Sequence, residues 1–148
     1  MSIRYYADNS PIPKQIKRRL TKEWINDIIH IHKKVTGNIA FIFCNENKML
    51  EINRQYLNHN YLTDIITFDY TDDNCLSGDL YICTDTVKSN SIQFNTNYTE
   101  ELYRVMIHGI LHLCGLGDCS EDEKLKMNAE ENIALEILQK RFKLRNEF

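Results

Sequence analysis

The run His108-Gly109-Ile110-Leu111-His112-Leu113-Cys114-Gly115-Leu116-Gly117-Asp118 sets two histidines four positions apart. On a helix that spacing stacks them on one face, a turn above each other, so their imidazoles can converge on one ion. From Val105 to Leu116 the histidines are the only strongly polar side chains. A helix apolar on most sides is a buried one. An unpartnered buried imidazole costs about 1–3 kcal/mol, which a metal removes. Hydrogen-bonded core histidines are the alternative. Gly115 stands where the helix should end with positive φ, a conformation glycine adopts at little cost. The chain can then turn back and present Asp118 to the same point. Two imidazole nitrogens and one carboxylate oxygen, with a fourth position open, make a catalytic rather than a structural zinc site. The expectation is one Zn2+ on His108, His112 and Asp118, carried by a central buried helix. Cys119 is adjacent and a thiolate also binds zinc, but it is one position out of register for a side chain aimed at that point.

Outward from this run, the 148 residues suggest one domain over positions 1–148, long enough to bury a sizeable core. A hydrophobic content of 43% and a charged content of 26% are those of an ordinary globular protein. The net charge of −3 excludes nucleic-acid binding by bulk charge, so any such contact needs a local basic patch. The five cysteines form no C-x-x-C pair, Met1 to Ser10 has no apolar signal core, and no apolar run approaches membrane-spanning length. This reads as reduced thiols in a cytoplasmic protein.

Ile3 to Tyr6 is expected as a first strand. Ser10-Pro11 reads as a helix start, with Ile12, Ile16, Leu20, Trp24, Ile28, Ile31 and Val35 as its inner stripe and Gly37 as its stop. Lys14, Lys17, Arg18, Arg19 and Lys22 form either a solvated face or an RNA-phosphate surface. Ile39 to Cys44 reads as a strand buried on both faces. Asn45 is placed to cap a helix with Met49, Ile52 and Tyr56 inward. Thr63 to Tyr70 and Gly78 to Thr84 read as an antiparallel strand pair across a polar turn. A helix over Asp85 to Phe94 follows, then the metal helix capped by Thr99. The last helix opens with the capping box Ser120 to Glu123 and points Leu125, Ala129, Ile133 and Ile137 inward. Strand-helix-strand-helix-strand-strand-helix-helix-helix predicts a mixed α/β (α+β) fold with one small sheet.

The metal run is similar to the extended zincin motif H-E-x-x-H-x-x-G-x-x-H. It resembles more closely the H-G-x-L-H-L-x-G-Y-D-H signature of the YbeY family of metal-dependent endoribonucleases. His108, Gly109, Leu111, His112, Leu113 and Gly115 match that signature, and Asp118 stands at its third histidine. A second family signature, L-N-x-x-Y-R-x-x-D-x-P-T-D-V-L-S-F, is matched by Asn53, Tyr56, Thr63, Asp64 and Phe68. Leu57 replaces its arginine and Asn60 its aspartate. Gly78-Asp79-Leu80 resembles the family's G-D-I strand. The resemblance implies a zincin-like fold with the metal helix packed beneath a small mixed sheet. It implies cleavage of single-stranded RNA, with roles in ribosomal RNA maturation and ribosome quality control. Ribosomal RNA and ribosomal subunit proteins are the expected partners, and no membrane.

Where zincin proteases carry the general-base glutamate this chain has Gly109, so that base is absent. Gly109 is present either because another backbone approaches closely there or because a substrate does. Arg54, one turn before Leu57, can take over the missing arginine's phosphate contact, and His59 is a second candidate for phosphate contact or proton transfer. Asp64 either orients a ligand or caps a strand turn, and the structural role is the one expected. A zincin-type metalloprotease and a non-catalytic ribosome-assembly factor pinned by zinc are the competing readings.

Overall fold

The computed structural model describes residues 2–57 and 63–146. In chain order it contains β1 (Ser2–Asp8), α1 (Arg18–Ile31), β2 (Val35–Cys44), α2 (Glu46–Leu57), β3 (Ile65–Asp69), β4 (Cys75–Cys83), α3 (Thr84–Gln93), α4 (Tyr98–Leu113) and α5 (Glu121–Asn146). This is the element order expected from the sequence. The sheet order is β1-β2-β4-β3. β2 lies parallel to both β1 and β4, while β3 pairs antiparallel to β4 at the edge.

Side chains alternate across a strand, so each strand serves two faces. Ile39, Phe41 and Phe43 of β2, with Leu76, Leu80 and Ile82 of β4, point into the main core under α1, α4 and α5. Cys44, Ile66 and Cys83 point the other way, against Met49 and Ile52 of α2. α2 covers that second face only in part, and Arg4, Tyr6 and Asn38 remain exposed. On the covered face Trp24 of α1 is fully buried. Its indole N–H donates to the Ala134 carbonyl of α5 at 2.7 Å, and its ring meets Tyr103 of α4 edge-on at 5.8 Å.

Several local expectations are corrected. α1 starts at Arg18, not at Pro11. Pro13 disfavours a helical conformation at Ile12, and Lys17 becomes the cap, its N–H donating to the Tyr103 hydroxyl at 3.0 Å. Gly37 does not stop this helix. Lys33, at φ 61°, does. The N–H groups of Lys33 and Lys34 close onto the carbonyls of His30 at 2.9 Å and Ile29 at 3.1 Å. The end of the expected stripe is therefore exposed at Ile31 and Val35. Gly37 lies inside β2, where the pairing with β4 shifts between Thr36 and Ile39. A Cβ there would sit 2.5 Å from the Leu76 carbonyl, so close backbone approach selects glycine. Asn45 caps α2 as expected, accepting from the Lys48 N–H at 2.9 Å. Tyr56 is exposed, with its ring edge-on to Phe68, and Asn53 takes the buried position instead.

Two corrections touch the helices of the site. Asn97, not Thr99, caps α4, accepting from the Glu100 N–H at 3.2 Å. The inner face of α5 is Met127, Glu131, Ala134, Leu135 and Leu138, whereas Leu125, Ala129 and Ile133 face out and Ile137 is partly buried. An acid in the middle of that stripe broke the hydrophobic period from which the register was read. Among the described residues no helix is long and apolar enough to cross a membrane. The five cysteines are all free.

Candidate metal centre

α4 runs against the sheet with Leu102, Tyr103, Val105, Met106, Ile107, Gly109, Ile110, Leu111 and Leu113 buried. Gly109 faces β3 and β4. A Cβ there would collide with Leu80 Cδ2 and lie 2.8 Å from Ile65 Cδ1. The close neighbours are side-chain ends of β4 and β3, not another backbone, so the expected backbone approach is not what Gly109 meets. The helix ends as expected at Gly115, with φ +104°. The N–H groups of Gly115 and Leu116 donate to the carbonyls of His112 at 2.9 Å and Leu111 at 3.0 Å. The chain turns back through Asp118 and enters α5 by the expected capping box. There the Glu123 N–H donates to Ser120 Oγ and the Ser120 N–H to Glu123 Oε1, each at 3.1 Å.

This turn brings Asp118 to the two histidines. Asp118 Oδ2 lies 3.5 Å from His108 Nε2 and 3.5 Å from His112 Nε2. The three donor atoms lie within 4.8 Å of one another. The far side of each ring is already engaged. His112 Nδ1 is 2.8 Å from the Leu116 carbonyl, which can only accept, so Nδ1 carries the proton. His108 Nδ1 is 2.7 Å from Glu131 Oε2 and donates to that carboxylate. Both Nε2 lone pairs are thereby left facing Asp118. Two imidazole lone pairs and a carboxylate oxygen are a donor set that suits a divalent cation of the zinc type. Cys119 is exposed and lies outside this group.

The triad sits in an open cleft of about 540 Å³, walled by Asn53 and Leu57 of α2 and by β3 with the preceding Thr63 and Asp64. Asp64 stands at the junction of β3 and the cleft. Its carbonyl accepts from the Cys83 N–H at 2.9 Å, tying β3 to β4, while its carboxyl lines the cleft. Burial pushes that carboxyl above the usual carboxylate range, and the nearby His108 charge only partly offsets the effect. At His108 burial pulls the imidazole down. The hydrogen bond and charge of Glu131, aided by Asp118 and Asp64, outweigh it, and the net shift is upward. Arg54 is exposed on α2 and is not among the cleft-lining residues. His59 lies outside the described residues. Sequence periodicity does not single out Glu131. Its signal was an acid at a position where the α5 stripe should be apolar.

A family model described as endoribonuclease YbeY matches residues 4–139. The chain belongs to the YbeY family. It is 51% identical over 138 residues to endoribonuclease YbeY of Parabacteroides distasonis, covering 93% of this chain and 96% of that protein. It is 55% identical over 135 residues to endoribonuclease YbeY of Bacteroides fragilis, covering 91% and 96%. The solution structure of TM1509 from Thermotoga maritima superposes with a TM-score of 0.68 at 25% identity, over 97% of this chain and 93% of that one.

Membership in the YbeY family bears on two of the departures from the signatures quoted above. Leu57 lines the cleft itself, so the family arginine is replaced by an apolar wall at the site and not on a remote surface. Asp118 reaches both Nε2 atoms from the position of the family's third histidine.

Proposed function

We propose that this chain is a metal-dependent, single-strand-specific endoribonuclease, with His108, His112 and Asp118 holding one Zn2+. The observation that carries this reading is the convergence of two histidine Nε2 atoms and Asp118 Oδ2 at the floor of an open cleft. The relatives' printed activity supplies the substrate class. Ribosomal RNA maturation and ribosome quality control in the cytoplasm, alongside ribosomal subunit proteins, are the setting we propose from the family resemblance.

Zinc held there supplies Lewis acidity toward a phosphoryl oxygen and lowers the pKa of water to about 7. The chain supplies the rest. Glu131 and the Leu116 carbonyl fix the two imidazoles so that the cation meets a preformed site. Asp64 lines the cleft beside His108 as a carboxyl that takes up a proton more readily than an exposed aspartate. Arg54, exposed on the same helix as the cleft-lining Leu57, meets the phosphate of a bound strand from the rim. The protease alternative is disfavoured because Gly109 stands where a zincin protease carries its general-base glutamate.

The test is turnover of a single-stranded RNA by the zinc-loaded chain, with casein as the control. RNA cleavage that a chelator abolishes and zinc restores is expected. In Arg54→Ala cleavage should fall while stability holds, and the log-log salt slope of RNA binding should flatten by about one. Peptide cleavage that persists through repurification, with RNA left intact, would reverse the assignment. RNA binding without turnover would favour the assembly-factor reading, to which Leu57 at the cleft wall lends support.

A further inference from the structure

Glu131 is 7% exposed in the middle of the inner face of α5. A carboxylate there is costly unless both oxygens are met. Oε2 accepts from His108 Nδ1 at 2.7 Å, and Oε1 accepts from Arg104 Nη1 at 3.0 Å. Arg104 also donates to Asn128 Oδ1 at 3.3 Å and Asn132 Oδ1 at 2.8 Å. Arg104 and His108 are a turn apart on one face of α4, and Asn128, Glu131 and Asn132 share one face of α5. The network has an order. Arg104 fixes Glu131, Glu131 fixes the His108 ring, and the ring presents Nε2 to Asp118. His112 is held differently, by a carbonyl at the end of its own helix. One imidazole is therefore set locally, and the other by a helix that begins after Asp118.

We propose that Glu131, anchored by Arg104, is the positioning residue for His108, so that metal loading and docking of the terminal helix α5 are coupled. This rests on the reading that His108, His112 and Asp118 hold the metal. The coupling runs both ways by linkage. Metal favours the docked helix, and anything that loosens α5 turns His108 away and weakens metal binding.

The experiment uses the full chain with Co2+ as the probe. Cobalt affinity is measured by chelator competition, the site by its visible absorption, and α5 by amide hydrogen exchange with and without metal. In the wild type cobalt should slow exchange along α5. Glu131→Ala should weaken cobalt binding by about 10- to 100-fold, change the visible spectrum and remove the protection of α5. A single glutamine is a poor control, because its one oxygen cannot serve both His108 and Arg104. The pair Arg104→Gln with Glu131→Gln keeps an acceptor for His108 Nδ1 and lets the two amides satisfy each other. It should bind cobalt within a few-fold of wild type. Should Glu131→Ala fail to fold, Arg104→Ala takes its place, with several-fold weaker binding expected. Wild-type affinity in the alanine variant overturns the proposal, as does a double-glutamine variant no better than that alanine variant, or α5 exchange indifferent to metal. A wild-type chain that takes up no cobalt sinks the metal reading itself, an outcome distinct from tight binding that ignores Glu131.

Discussion

α4 and α5 meet at the same triad but bury themselves in opposite ways. α4 is enclosed along most of its surface, and its polar side chains at His108 and His112 stand out against an apolar run. α5 is longer and mostly polar, and its single inner face carries Glu131 among its apolar residues. A helix buried on nearly all sides offers no register to misread. A helix buried on one stripe does, and a functional acid inside the stripe hides it. The same acid that obscures α5 in the sequence is the one that holds a histidine of α4.

The sharpest way to break this contrast is to add volume to α4. Gly109→Glu inserts a charged side chain between Leu80 and Ile65. It should cost about 3–5 kcal/mol in urea unfolding, from overpacking and charge burial together. Near wild-type stability would mean that α4 has slack that the packing does not show.

A smaller effect sharpens the register of α5. Met127 is 2% exposed and Leu125 68% exposed. Met127→Ala should cost about 2–4 kcal/mol, and Leu125→Ala no more than about 0.5 kcal/mol. Equal losses in thermal or urea unfolding would return the stripe to the one first read from the sequence.

The smallest effect compares the ends of α4. Asn97→Ala removes the side-chain acceptor at the helix start and should cost about 1 kcal/mol. Thr99→Ala, inside the first turn, should stay within about 0.5 kcal/mol. A larger loss at Thr99 would show that the helix begins later in solution.

Signals local to the chain set the order of the nine described elements, the antiparallel β3–β4 pair, the stop at Gly115 and the Ser120–Glu123 box. Each depends on neighbours in the chain, through a local period, a turn residue or a cap. The sequence also placed His108, His112 and Asp118 as a group, because a helix turn and a short reversal suffice to bring them together. Tertiary structure alone decided the rest. Gly37 is required by the backbone of β4, and Gly109 lies against side-chain ends of β3 and β4. Leu57 reaches the cleft wall only because α2 lies beside β3. Glu131, 23 positions from His108, becomes its partner only when α5 folds back along α4. A contact between distant segments leaves no period in the chain, so the sequence can mark such a residue as out of place without saying what it meets.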